Sequence, residues 1–378
     1  MKRTSLVAML VLLACNMTAQ SDASWQVPGM FTTGRYLYAA QKDGLYRLEQ
    51  TMAAIPVQWE LVAFAGVPIS QAVIKGDSII ASTMLEGPDS LLLLSTDGGK
   101  SYIDYTPIDL WLQNRIDNAL PLRPCYMTSS PVDANILVMS VHNSGVYQST
   151  DFGKTWSLLP NIPPGTFVSF NPNDGRQLFS CYESMAMCGE IGMSIDGGVT
   201  WKRVLSQSAA FPKGIAFHLT DEKHMFAYGM GICATSIDQG YTWVNHQGHL
   251  SGELEGAVFS AAVYDNISSN TIYAVDSDGH DVTIYKSNDD GYSWTMIEEA
   301  HPENGVGTVG GLYLMNRILY VNTADGGILS FDLDENPDNS ISLSTSGNPS
   351  VAYYDLCGRI VTHPTRGIYI KNGKKICF

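Results

Sequence analysis

Positive charge is scarce in this chain. Its 378 residues carry 22 Lys and Arg against 37 Asp and Glu, a formal net charge of −15. Nucleic acid and anionic membrane need a basic face on their partner, so this balance argues against both. Long apolar runs are missing as well. Beyond the first twenty residues, none reaches the roughly 20 residues of a membrane-spanning helix. No Cys-x-x-Cys pair occurs, which argues against a zinc ribbon or a thioredoxin-type site. A Gly-x-Ser-x-Gly elbow and a phosphate-cradling glycine loop are absent too, and no cofactor is implied. An apolar content of 45% fits a soluble globular protein with a sizeable core.

The first residues read as an export signal. Lys2 and Arg3 supply the charge, and Leu6 to Ala14 form an apolar core too short to span a bilayer. Cleavage after Ala19 gives a signal peptide over 1–19. Leu12-Leu13-Ala14-Cys15 offers a second reading, a lipid anchor at Cys15. Export permits disulfides. Cys181 with Cys188 and Cys357 with Cys377 are close enough in sequence to pair; buried free thiols are the alternative.

One eight-residue pattern recurs, Ser-x-Asp-x-Gly-x-[Ser/Thr]-Trp. It occupies Ser149 to Trp156, Ser194 to Trp201, Ser236 to Trp243 and Ser287 to Trp294, and Ser95 to Tyr102 with Tyr in the last place. Each copy lies between two short β-type runs, which is a hairpin signal. The aspartates, Asp97, Asp151, Asp196, Asp238 and Asp289, can accept backbone N–H groups a residue or two on. The glycine tolerates positive φ, and the aromatic opens the next strand and can pack over the turn. These copies resemble Asp-box (BNR) repeats, found in sialidases, sortilin-type receptors, xyloglucan-cleaving endoglucanases and photosystem II assembly factors. The resemblance implies an all-β propeller with each box between the third and fourth strands of a blade.

Aromatic placement sets the blade count. Trp25, Trp59, Tyr102, Trp156, Trp201, Trp243 and Trp294 all suit the start of a fourth strand. That predicts seven blades over 24–333, at spacings fit for propeller repeats. Trp25 has no strands before it, so the N-terminal strand is expected to complete the last blade. Residues 334–350 read as a polar linker. Ile108, Leu112, Ile116 and Leu120 form a helical stripe beside blade 2, with Trp111 in it. Residues 351–378 read as a separate β-hairpin module. Tyr353-Tyr354-Asp355-Leu356-Cys357-Gly358-Arg359 and Gly367-Ile368-Tyr369-Ile370 resemble the sorting tail of type IX secretion cargo, which implies the secretion machinery as a partner and the cell surface as destination.

The box aspartates serve structure on this reading. The resemblance puts the binding face opposite them, on the loops between second and third strands. Lys42-Asp43, Glu86 to Asp89, His142-Asn143, Glu183 to Glu190, Asp276 to Asp281 and Asp325 fall there. A sialidase would need three arginines for the substrate carboxylate and an Arg-Ile-Pro element; only Arg123-Pro124 comes near. A broader glycosidase needs two facing carboxylates, for which Glu183, Glu190, Asp278 and Asp281 are candidates and Glu253 and Glu255 are further acids. Trp111, His142, His249 and His280 are candidate ligand contacts. His246-x-x-His249 lacks a placed third ligand, so no metal is expected. The first expectation is a non-catalytic propeller binding a protein or a glycan; the alternative is a polysaccharide-cleaving hydrolase.

Overall fold

The computed structural model describes residues 29–334, apart from 35, 51–57, 86–89, 117, 119–120, 166, 185–186, 247–256, 266 and 269. It also describes the backbone of residues 342–344, 353–354, 360–361, 368–371 and 374–377. Seven four-stranded antiparallel sheets follow one another along the chain, each built from consecutive strands. These are the seven blades of a β-propeller, spanning 30–63, 69–104, 123–158, 167–208, 211–245, 261–300 and 309–344. First strands of neighbouring blades touch from blade 2 round to blade 7 and again between blades 7 and 1. Fourth strands such as Ser157–Leu158 lie at the exposed rim.

The blades are buried on both faces, so their strands read as near-continuous apolar runs. In the second strand of blade 3, Leu137–His142, residues Leu137 and Met139 pack into the seam with blade 2. Val138, between them, packs into the seam with blade 4. That is the period-2 alternation of a strand, here with two apolar faces. Seven hydrophobic clusters result among the described residues, one per seam. The core is therefore a ring of seams.

Two expectations are corrected here. The first is closure through the N-terminal strand. The fourth strand of blade 7 is Ser342–Ser344, which pairs with Ile328–Asp332. The position assigned to Trp25 is thus filled by residues of the expected linker, and Trp25 itself lies outside the described residues. Closure comes from contact between blades 1 and 7. Asn322, fully buried in blade 7, donates 3.0 Å bonds to the carbonyls of Gly29 and Ala40, and its Oδ1 accepts from Gln41. Trp59 packs edge-on against Tyr320 in the same seam.

The second correction concerns the insertion. The expected short helix forms over Ile108–Gln113, but only part of the stripe makes the contact: Ile108 packs against the seam between blades 2 and 3, whereas Leu112 is 48% and Ile116 71% exposed. Trp111 points inward instead and is fully buried in the seam between blades 2 and 3. The C-terminal segment forms a four-stranded sheet, larger than the expected hairpin, in which Tyr354 pairs with Ile370. No helix among the described residues is long and apolar enough to cross a membrane.

Candidate functional site

The five boxes share one geometry. Each joins the third strand of its blade to the fourth. The Ser hydroxyl accepts the glycine N–H at 2.8–2.9 Å. One Asp oxygen accepts the backbone N–H four residues on, at 2.8–2.9 Å, and the other accepts that residue's hydroxyl at 2.6–2.7 Å. The turn is therefore wider than a one- or two-residue Asx turn. Hydrogen bonds from Ser101 and Thr200 hold Asp97 and Asp196 down at about 2. At Asp151, Asp238 and Asp289 burial works against the charge, but the hydroxyl and N–H donors outweigh it and these too lie low. A carboxylate with its oxygens committed in this way is a poor acid or base at neutral pH.

The opposite face carries the ends of the second strands. There the sequence candidates separate. Glu190 is 7% exposed and bound to Arg203 at 2.9 Å and Ser206 at 3.3 Å, so it is a structural ion pair. It also helps burial push the neighbouring Tyr182 up to about 12. Asp278 accepts the N–H groups of Asp281 and His280 within its own loop, which lowers it. Asp281 pairs with His301 at 3.0 Å. His280 is exposed and His142 half-buried; His249, Glu253 and Glu255 lie outside the described residues. Trp111, having no exposed surface, cannot stack on a ligand. Cys181 and Cys188 form no disulfide, because the register places Cys181 opposite Ile191 and Cys188 opposite Ser208. Burial pushes the Cys181 thiol up. Cys357 lies outside the described residues, as does the side chain of Cys377. Among the described residues no group of three or more His, Cys, Asp or Glu side chains is arranged to hold a metal ion.

Three other ionisable residues belong to this face. Lys213 sits at a bulge near the start of the first strand of blade 5, Phe211–Phe217. Its Nζ donates to the Ser260 hydroxyl at 3.1 Å. It is open to solvent, yet surrounding protein lowers its pKa, while Asp276 works the other way. Glu183, at the end of the second strand of blade 4, is also exposed and also penalised by its surroundings, so its pKa is raised. Asp276, near the end of the second strand of blade 6, is raised by burial despite N–H groups from Val258 and Ser277. Blades 4, 5 and 6 are consecutive, so Glu183 and Asp276 flank the blade of Lys213. Sequence reading put Glu183 and Asp276 on this face but missed Lys213. The available signal was one cation inside the apolar run Phe211-Pro212-Lys213-Gly214-Ile215.

No family model matches the chain. It is similar to "Sortilin" from Danio rerio, 27% identical across 60% of this chain and 26% of that protein. It is also similar to "Xyloglucanase Xgh74A" from Acetivibrio thermocellus, 33% identical across 23% of this chain and 13% of that protein. Among solved structures, the Niastella koreensis GH74 enzyme superposes with a TM-score of 0.64 at 16% identity, over 91% of this chain and 57% of that one. A structure described as YCF48 bound to D1 peptide gives 0.54 at 15% identity, over 82% of this chain and 95% of that one. The chain thus spans 26% or less of the curated relatives and little more than half of the GH74 structure. These likenesses fit an Asp-box-like propeller.

Proposed function

We propose that this is an exported, polysaccharide-directed propeller that cleaves its glycan at the face opposite the boxes. The observation carrying the reading is the pair of carboxyl groups with raised pKa, Asp276 and Glu183, on the blades flanking Lys213. A carboxyl group whose pKa is raised by burial is better suited to protonate a glycosidic oxygen, and a second carboxylate can act as base or nucleophile. Asp276 takes the acid role, because it is the more enclosed of the two. Lys213 orients the sugar by donating to its hydroxyl oxygens. The relatives whose names state an activity are xyloglucanases, which supports the hydrolase reading over the purely non-catalytic one.

Peptide capture by a single propeller is the second reading. It draws support from the YCF48 structure, which this chain matches over nearly that whole chain. Incubation with a panel of xyloglucan and other plant oligosaccharides, followed by reducing-end assay, separates the two. Turnover should fall by roughly 100-fold or more in Asp276→Asn and in Glu183→Gln. Glycan binding without turnover in the native protein would remove the hydrolase reading and leave recognition.

A further inference from the structure

On the face opposite the boxes, one contact joins two blades through an amine and a hydroxyl. Lys213 stands in the bulge between Pro212 and Gly214, in the first strand of blade 5. A bulge takes its extra residue out of the ladder and re-aims the side chain. Here the side chain crosses the seam to blade 6, where its Nζ donates to the Ser260 hydroxyl at 3.1 Å. Ser260 directly precedes the first strand of blade 6, Ala261–Tyr264. Its own N–H donates to the carbonyl of Val275 at 2.7 Å, and the N–H of Val258 donates to Asp276 at 3.3 Å. The segment carrying the hydroxyl is thus tied twice to the second strand of its blade. Lys213 is exposed and Ser260 half-buried, so a substrate can reach both.

A serine hydroxyl becomes a nucleophile when a base within hydrogen-bond reach can take its proton, and lysine serves as that base in serine–lysine pairs. The amine must first be able to lose its own proton, which desolvation favours. At Lys213 the surrounding protein lowers the pKa from its ordinary 10.5, and Asp276 offsets that only in part. With the amine neutral the contact reverses: the hydroxyl donates to the nitrogen lone pair. The two remaining N–H groups can still donate to a sugar.

We propose that Ser260 and Lys213 form a serine–lysine dyad that hydrolyses ester-linked acyl groups on a polysaccharide. Neutral Lys213 takes the Ser260 proton as Oγ attacks the acyl carbonyl carbon. The tetrahedral intermediate expels the sugar oxygen, which leaves with the proton from the Lys213 ammonium. The acyl group is now an ester on Ser260. Lys213 then takes a proton from water, whose oxygen attacks that ester. The carboxylic acid departs, and Ser260 Oγ recovers its proton from Lys213. Asp276 and Glu183 on either side disfavour an anionic acyl group, so an uncharged one such as acetyl fits. The polysaccharide carrier rests on the glycan reading above; the dyad does not, since neither step breaks a glycosidic bond.

The full chain is incubated with a fluorescein-tagged fluorophosphonate at about pH 8, digested and read by mass spectrometry. The phosphonyl group should be found on Ser260. Labelling should vanish in Ser260→Ala and fall by about 100-fold or more in Lys213→Arg, which keeps charge and hydrogen bond but cannot give up its proton. Hydrolysis of p-nitrophenyl acetate should follow the same pattern, with a rate that climbs with pH to a half-maximum below 10.5. Circular dichroism checks the fold of each variant, and Lys213→Met stands in if the arginine variant does not fold. No adduct on Ser260, or equal labelling of the native and Lys213 variant proteins, would overturn the dyad. Acetate should also be released from acetylated xylan or glucomannan; hydrolysis of p-nitrophenyl acetate alone would overturn the polysaccharide carrier.

Discussion

An aspartate that recurs at one register five times invites a catalytic reading, and its hydrogen bonds decide against it. Each box carboxylate closes a turn by accepting an N–H and a hydroxyl from the residue four places on. Removing one such carboxylate, as in Asp289→Ala, should cost about 1 kcal/mol after allowance for its exposure, read by urea denaturation. The pH dependence follows from the sign of the shift. Asp97 and Asp196 lie at about 2, below their ordinary value of 3.8, and the other three are lowered as well. Their contribution is complete above about pH 4 and is lost as pH falls through their folded values. The melting temperature should therefore hold from pH 7 to about 4 and drop between about 4 and 2. A chain equally stable at pH 2 and pH 5 would show that these bonds do not stabilise the fold. Lys213 taught the opposite lesson: its identity is plain in the sequence, but its placement at a bulge beside Ser260 depends on two blades at once.

At the scale of the blade, the boxes and their aromatics mark six of the seven fourth strands in the sequence itself. The strands beginning at Glu60, Ile103, Ser157, Lys202, Val244 and Thr295 each follow the expected aromatic directly. Blade 7 was misread because its fourth strand, Ser342–Ser344, carries no aromatic marker and lies in a polar stretch. Closure was misread with it. A ring can be sealed by exchanging a strand between its ends or by packing two complete blades, and hydrophobic pattern does not separate the two. Here Asn322 bridges the ends by donating to two carbonyls of blade 1. Asn322→Leu leaves both without that donor in a buried seam, and should cost about 2–4 kcal/mol in equilibrium unfolding. A loss under about 0.5 kcal/mol, the size of an ordinary surface substitution, would mean that packing alone seals the ring.

For the molecule as a whole, architecture was far more legible than action. A repeat writes the fold many times over, whereas a binding face is made of loops that each occur once. Glu183, Asp276 and Lys213 come from three blades and share no motif. The secretory role of the tail rests on its resemblance alone, and we keep it as a proposal. Deleting residues 351–378 should leave the protein in the periplasm of a host with type IX secretion, detected by cell fractionation. Unchanged secretion would sink that role. Each box glycine is close-packed on the blade before it, as Gly153 is on Ile80 and Gly240 on Phe179, which gives the ring a direction from amino to carboxyl terminus. A chain emerging amino terminus first builds blade 1 before blade 2. Each later box thus arrives at a wall that already stands. The ring closes where Asn322 reaches the carbonyl of Gly29, between the last blade and the first.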